Sequence, residues 1–483
     1  MPAPWIFLIV LALAAAGYLA GRLRALAVVG GDIRRLHSLP GYYGWQAAML
    51  AALPALLVMG LWLLIQPVVV ESRVEGMIPE AAQGASLSLV MTDVRRVAEG
   101  LDLAVSTGVM SAAEATGLSA DGTIRATLGK LGVALGSGVT PEVLAAAKAL
   151  RTAEATGRGA MAAVVLVLAL AGVAYALWRI RAEYRARNVV EAGVRGLLLL
   201  ASTIAILTTA GIVLSMLFET RHFFAQYPWW KFFFGATWSP NFRGGSDLGI
   251  LPLLWGTLYI SFIALVVSVP IGLFAAVYMS EYAGRKFRMV AKPAIEILAG
   301  IPTIVYGLFA LITVGPLLRD YFAQPLGLGA SGSSVMTAGL VMGVMLIPFV
   351  SSLSDDIINA VPQSLRDGSL GLGATRSETI RQVVLPAALP GIVGAVLLAA
   401  SRAIGETMIV VLGAGAAAKL DLNPFEAMTT VTVKIVSQLT GDTDFAAPET
   451  LVAFALGLTL FVLTLGLNVL ALWIVRRYRE QYE

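Results

Sequence analysis

The sequence predicts an all-α integral membrane protein, and three observations carry that prediction. Of the 483 residues, 58% are hydrophobic and only 13% are charged, whereas soluble domains hold roughly a quarter of their residues as charge. The mean hydropathy is +0.81. The apolar residues are also gathered into about nine runs of the length, roughly 20 residues, that crosses a bilayer as helix.

Composition removes several classes of function at once. There is no cysteine, so disulfides and thiolate metal sites are excluded. His37 and His222 are far apart in the chain, which leaves no pattern for a histidine-based metal or catalytic site. The net charge of +4 and the calculated pI of 9.2 do not point to nucleic acid, because Lys and Arg of membrane proteins collect in cytoplasmic loops.

The expected spans are Pro4–Ala20, Trp45–Ile65, Ala160–Trp178, Gly196–Phe218, Ile250–Tyr278, Pro293–Pro316, Val335–Leu353, Leu389–Val411 and Leu451–Ile474. The first is not patterned as a cleaved signal, since Arg22 and Arg24 follow the apolar run instead of preceding it. It is expected to be a retained anchor with its N-terminus outside. Basic residues then set the orientation. Arg22, Arg24, Arg34 and Arg35 follow the first span, and Arg179, Arg181, Arg185, Arg187 and Arg195 the third. Arg285, Lys286, Arg288 and Lys292 lie between the fifth and sixth, and Arg476, Arg477 and Arg479 close the chain. Nine spans with the N-terminus outside place all of these clusters, and the C-terminus, in the cytoplasm.

Two outer segments result. Residues 71–158 form a long polar insert. Its runs from Val90 to Met110 and from Thr140 to Thr156 read as helices, Thr140 and Pro141 serving as cap and first-turn residue. Gly117, Gly122, Gly129, Gly136 and Gly138 mark turns between them. The insert is read as a small helical outer domain, with a mobile spacer as the alternative. Arg221–Asp247 is rich in Phe and Trp, and Trp229 and Trp230 with their neighbouring phenylalanines suit a headgroup-level aromatic belt. A contact surface for an extracytoplasmic partner is the alternative.

The loop from Pro362 to Pro386 holds the densest local signals. It turns at Gly371 and Gly373, and Thr375 with Glu378 forms a capping box that opens a short helix. Ile380, Val383 and Val384 share one face, with Arg376, Glu378 and Arg381 mostly elsewhere. Such an amphipathic helix between spans either docks into a groove on a soluble partner or lies against the protein's own surface. Asp355 and Asp356, just before it, are expected to face solvent.

The eighth span carries the ionised groups. Arg402 falls about half-way along Leu389–Val411, where a charge costs roughly 2.5–3.5 kcal/mol on insertion scales unless it meets a polar path or a partner. Glu406 is an i,i+4 neighbour able to pair with it, and Ser401 and Thr407 add hydroxyls. A planar guanidinium suits an oxyanion, and a nearby carboxylate would keep the hold weak enough for release. A structural ion pair locking two helices is the alternative. Thr303 and Tyr306 could line the same path, while Pro302 marks a bend. Glu296 is placed near the inner interface as an end-of-helix carboxylate. Gly129 and Lys130 lack the glycine spacing and following Ser/Thr of a phosphate-binding loop, so ATP hydrolysis is not expected of this chain.

The same loop resembles the EAA loop of ABC-importer permeases, whose pattern is Glu-Ala-Ala, three residues, Gly, nine residues, Ile, one residue, Leu-Pro. Asp367, Gly368 and Ser369 take the first places, Gly373 the glycine, Val383 the Ile place, and Leu385 with Pro386 the end. The opening thus reads Asp-Gly-Ser, with two helix-weakening residues in place of alanines. SEYAGRKF, EILAGIPTIVYG and SRAIGETM extend the resemblance to the phosphate-specific (Pst) ABC importer permeases, PstC type, and HSLPGYYGW to the extension on long members.

That resemblance implies a six-helix type I ABC-importer permease core at 196–483, with coupling loop 362–386, after a three-helix N-terminal extension at 1–195. It implies a multi-pass protein of the bacterial cytoplasmic (inner) membrane that passes phosphate. Its partners would be a second permease chain (PstA-like), an ATPase dimer (PstB-like) holding ATP and Mg, and an extracytoplasmic binding protein (PstS-like). No cofactor is expected on this chain. Asp367, Gly373, Thr375, Arg376, Glu378, Arg381, Leu385 and Pro386 are the expected ATPase-coupling residues. Arg402 is the expected anion contact with Glu406 as its modulator. A permease for molybdate, tungstate or phosphonate is the near alternative, and an ion-coupled secondary transporter the distant one; the latter needs internal repeats.

Overall fold

The computed structural model describes residues 2–78, 87–118, 140–241, 245–441 and 447–479. Among them, nine helices are long and apolar enough to cross a membrane. The chain separates into two compact units, Met1–Ala205 and Ile206–Glu483.

The first unit holds α1 (Ala3–Val28), α2 (Pro40–Glu75), α3 (Leu87–Ser106), α4 (Ala112–Gly117) and α5 (Pro141–Arg179). It also holds the first part of α6 (Ala186–Gln226). The helices α1, α2 and α5 approach closely because glycines sit at their crossings, as small residues do in membrane bundles. A Cβ at Gly21 would stand 2.7 Å from the Tyr43 carbonyl oxygen, and one at Gly172 would overlap the Leu50 carbonyl.

Both α2 and α5 extend beyond bilayer length, and their far ends build the polar insert. Val70 and Val74 of α2, Val94, Val97 and Leu101 of α3, and Leu144, Ala147 and Leu150 of α5 close one apolar core. The insert therefore contains a helical domain, and the spacer reading falls for its described residues. Thr140 caps α5 by accepting from the Val143 N–H, with Pro141 in the first turn, as expected. Gly117 ends α4. The turns expected at Gly122, Gly129, Gly136 and Gly138 lie outside the described residues.

In the second unit, α6 runs on to Gln226 and is followed by α7 (Trp229–Phe234) and a two-stranded antiparallel ribbon, β1 (Trp238–Ser239) with β2 (Asp247–Leu248). Phe223 and Phe232 are fully buried with Trp238, Leu248 and Leu253, while Trp229, Trp230 and Phe234 stay exposed. The aromatic stretch is thus half core and only half a candidate belt. Composition could not show that the end of α6 packs against this ribbon.

The centre of the unit is α8 (Leu251–Tyr282) against α11 (Val335–Ala360). Two-thirds of the apolar window of α11 is buried (67%), against none in α6. Gly339 and Gly343 of α11 face Ile263 and Val267 of α8, and Gly272 of α8 faces Val350. Between α8 and α11 come α9 (Arg285–Ala299) and α10 (Thr303–Ala323). The sixth span therefore does not begin at Pro293. That proline lies inside a separate amphipathic helix, and the chain breaks at Gly300–Pro302 before α10 starts.

After α11 come α12 (Gln363–Gly371), α13 (Arg376–Ile404), α14 (Met408–Gly413), α15 (Val431–Gly441) and α16 (Pro448–Arg479). The short helix expected after Thr375 is the foot of α13. One rod runs through Pro386, absorbed by a π-turn at Ile380–Val384. Proline in the first positions after that turn costs little, because the turn has already displaced the hydrogen bond it would break.

Candidate functional site: a coupling end and a helix break

The loop after α11 is held at its base by nearly enclosed polar contacts. Arg366 of α12 donates through Nη2 to Glu281 Oε1 at 3.1 Å and to the Ile358 carbonyl at 2.7 Å, and through Nη1 to the Val361 carbonyl at 2.6 Å. Both side chains are nearly enclosed, 13% and 11% exposed. The cation also meets the last carbonyls of α11, where the helix dipole favours positive charge. Ser369 and Thr379 hydroxyls bond at 3.0 Å, tying α12 to the foot of α13. The Arg376 guanidinium stands over the Tyr282 ring at 5.5 Å. Tyr282 and Glu281 belong to a π-turn at Tyr278–Tyr282 that ends α8, so α12 is flanked by two such turns.

The Thr375–Glu378 capping box forms. Glu378 N–H donates to Thr375 Oγ1 at 3.4 Å, and Thr375 N–H donates to Glu378 Oε2 at 2.8 Å. Gly373 has φ +90°, a left-handed turn that suits glycine. The Asp-Gly-Ser opening does not prevent a helix, since α12 includes Asp367, Gly368 and Ser369.

The apolar face of Ile380, Val383 and Val384 turns inward. Ile380 and Val384 are buried, Val384 against Ala276, Ile358, Val361 and Ala388. That face packs on the protein itself. The free apolar surface lies one loop earlier, with Leu365, Leu370 and above all Leu372, which is 92% exposed. Sequence reasoning missed Leu372, although a leucine between Gly371 and Gly373 at a turn is a readable sign. Arg381, Leu385 and Pro386 sit on the lower part of the α13 rod, Arg381 and Pro386 exposed and Leu385 half-buried.

Asp355 is not solvated. It is fully buried and accepts from Arg288 at 3.0 Å, Lys292 at 2.9 Å and Asn359 at 2.9 Å. Asp356 beside it is 67% exposed. The hydrogen bond to Asp355 holds the Lys292 ammonium above its ordinary pKa. These partners are distant in sequence, and only the packing of α9 against α11 joins them. Glu296, on the same helix as Lys292, is exposed.

The second place is the break between α13 and α14. Arg402 lies in the last turn of α13, not half-way along a span, because the helix stops at Ile404. Glu406 does not pair with it. Its carboxylate accepts from the backbone N–H of Met408 at 3.0 Å and of Ile409 at 3.4 Å, capping α14. Thr432 of α15 donates to the Glu406 carbonyl at 2.9 Å and so stitches the break. The Arg402 guanidinium is exposed, 5.9 Å above the Phe349 ring, and has no ion-pair partner among the described residues.

Ser401 and Thr407 are half-buried at the same place, the Thr407 hydroxyl reaching the Gly405 carbonyl at 3.5 Å. Gly307 of α10 abuts the break, since a Cβ there would stand 2.8 Å from the Met408 carbonyl. The two stretches IPTIVYG and SRAIGETM therefore meet. Thr303 is half-buried at the start of α10. Tyr306 is buried in the core, its hydroxyl donated to the Leu298 carbonyl at 2.8 Å, which leaves it facing protein.

Comparison with known proteins now decides the family. Residues 268–480 match the family described as binding-protein-dependent transport system inner membrane component, and residues 7–174 one described as phosphate ATP-binding cassette transporter. The phosphate transport system permease protein PstC 1 of Mycobacterium bovis is 37% identical over 252 residues, 48% of this chain and 74% of that one. This chain belongs to the PstC family of phosphate transport permeases. The PstC protein of Mesorhizobium japonicum is 33% identical over 51% of this chain and 78% of its own length. A probable ABC transporter permease protein of Bacillus subtilis, YqgH, is 32% identical over 48% and 74%. PstC relatives are transport permeases and not enzymes. The fold is accordingly a predominantly helical, multi-pass membrane permease.

Proposed function

We propose that this chain is a transmembrane permease subunit of an ATP-driven phosphate importer, and that Arg402 contacts the anion in its pathway. The observation that carries the reading is the exposed guanidinium at the end of α13, without a carboxylate partner among the described residues, beside the Gly307–Met408 apposition. An ionised arginine in a membrane core faces a polar path or a partner by default, and its planar fork suits phosphate. Ser401, Thr407 and Thr303 supply hydroxyls around the same break. Glu406 acts here by holding the break in shape, and its charge lowers the local potential at Arg402 without pairing to it.

A second, PstA-like permease chain completes the pathway, a PstS-like binding protein delivers phosphate, and a PstB-like ATPase dimer holding ATP and Mg supplies the energy. The ATPase contact is α12 with the exposed Leu372, flanked by Asp367, Gly373 and the Thr375–Glu378 cap, with Arg376 and Arg381 on the foot of α13. The basic clusters support an inner-membrane topology with the N-terminus outside and the C-terminus cytoplasmic.

The deciding experiment is uptake of labelled phosphate by vesicles holding the reconstituted subunits, with and without ATP. Uptake that needs ATP and resists excess molybdate, tungstate and phosphonate supports the reading. Displacement by one of those oxyanions reassigns the cargo. Uptake that persists without the ATPase and collapses with the ion gradient makes the chain a secondary transporter.

A further inference from the structure

The buried polar groups at the inner ends of the second-unit helices form one connected network. Asp355 of α11 is enclosed and accepts from Arg288 and Lys292 of α9. Asn359, one turn on, donates to both the Asp355 carboxylate and its carbonyl, at 2.9 and 2.6 Å. The Asn359 amide oxygen accepts from Ser280 at 3.2 Å, in the π-turn that ends α8. The next residue of that turn, Glu281, binds Arg366 of the coupling helix, which also reaches the Ile358 carbonyl. Four elements are thus tied together: α12, the end of α8, the end of α11, and α9.

A fully buried carboxylate is expensive unless its charge and lone pairs are answered, and here two cations and an amide answer it. Structural economy alone would place an apolar residue at this position, as it does at the neighbouring Ile358. The charge also has a directional consequence. The helix α9 has no buried residue along its length, so little apolar packing fixes it to the unit. Asp355 is the polar clamp that does. Beyond α9, the break at Gly300–Pro302 leads into α10, and Tyr306 of α10 bonds back to Leu298 of α9. Movement of α9 therefore reaches α10 and its Gly307 contact with the helix break.

We propose that Asp355 is a positioning residue for transport. Through Arg288 and Lys292 it makes α9 and α10 follow the coupling helix, so that loss of the clamp disconnects ATP hydrolysis from phosphate passage. This rests on the importer reading above, and the test separates the two. The complex is reconstituted in vesicles with its ATPase and binding protein, and ATP hydrolysis and phosphate uptake are measured on the same preparation. The variants are Asp355→Asn, and the combination of Asp355→Asn, Arg288→Gln and Lys292→Gln, which removes the clamp without leaving a buried unpaired charge, since Asp356, the other partner of Lys292 at 3.6 Å, is 67% exposed.

The expected result for the triple variant is normal assembly, hydrolysis within about twofold of wild type, and uptake per ATP lower by about tenfold, a typical allosteric coupling. Should Asp355→Asn fail to assemble because two cations are left unanswered, the triple variant still decides. Uptake per ATP equal to wild type in the triple variant overturns the proposal. So does a triple variant that cannot assemble, for the clamp is then a folding element. A wild-type complex that takes up no phosphate removes the importer reading instead.

Discussion

The Glu406 carboxylate accepts the Met408 N–H at 3.0 Å, and so serves the first turn of α14 instead of the Arg402 guanidinium one turn earlier. Its removal is therefore expected to act on the helix break. Glu406→Ala loses a cap worth about 1 kcal/mol, seen as a lowered thermal midpoint of the purified complex. Glu406→Asp, which keeps an acceptor, should recover most of it. Equal midpoints for all three proteins would remove the capping role.

For Arg402 the expectation is different. Arg402→Ala should abolish phosphate uptake while the subunits still co-purify, because the guanidinium makes one ring contact and no described ion pair. Arg402→Lys, which keeps the charge but not the fork, should retain a fraction. Normal uptake by Arg402→Ala rules the pathway role out.

Leu372 stands almost wholly free at the turn after α12. If it is buried by the ATPase, Leu372→Asp forfeits about 1.5–3 kcal/mol of apolar burial, and the subunits should separate during washing that wild type survives. Reversing charge at Arg376 and Arg381 together should also weaken association, Arg381 more than Arg376, whose guanidinium is spent on Tyr282. Unchanged co-purification of Leu372→Asp would place the docking surface elsewhere.

The N-terminal bundle gives a paired test of close packing. Gly172→Ala must push against the Leu50 carbonyl, at a cost of about 1–3 kcal/mol or more, whereas Gly60→Ala meets nothing within 4 Å and should be neutral or mildly stabilising. Thermal unfolding in detergent compares them directly, and equal midpoints would contradict the helix crossing described here.

Leu101, 1% exposed in the core of the polar insert, tests whether that domain folds as a unit. Leu101→Ala should cost about 2–5 kcal/mol locally and open the insert to proteolysis in the purified protein, with phosphate uptake as an independent readout. Wild-type protease resistance would mean the core contributes little.

Much of the fold was legible because bilayer length is a strong constraint on composition: all nine spans overlap those expected. The capping box at Thr375 and the cap at Thr140 were legible because the partners lie three residues apart. Helix ends inside apolar sequence were not. Gly405 and Arg402 are ordinary marks of a helix end, but Gly391 and Gly394 in the same run lie inside the helix, and the break is stitched by Thr432 reaching the Glu406 carbonyl from another helix. The same blindness placed Asp355 in solvent, because its cations arrive from a helix more than sixty residues away in the chain. The inward turn of Ile380 and Val384 was equally hidden, as periodicity shows that a face exists but not what covers it.

The uninterrupted course of α13 has a mechanical consequence. From Arg376 to Arg402 the rod is about 39 Å long at about 1.5 Å per residue, so a tilt of about 5° at its foot sweeps the head sideways by about 3 Å. That throw equals the length of a hydrogen bond. If Arg402 contacts the anion as proposed, a crank of such reach grips it or lets it go while its own backbone hardly deforms.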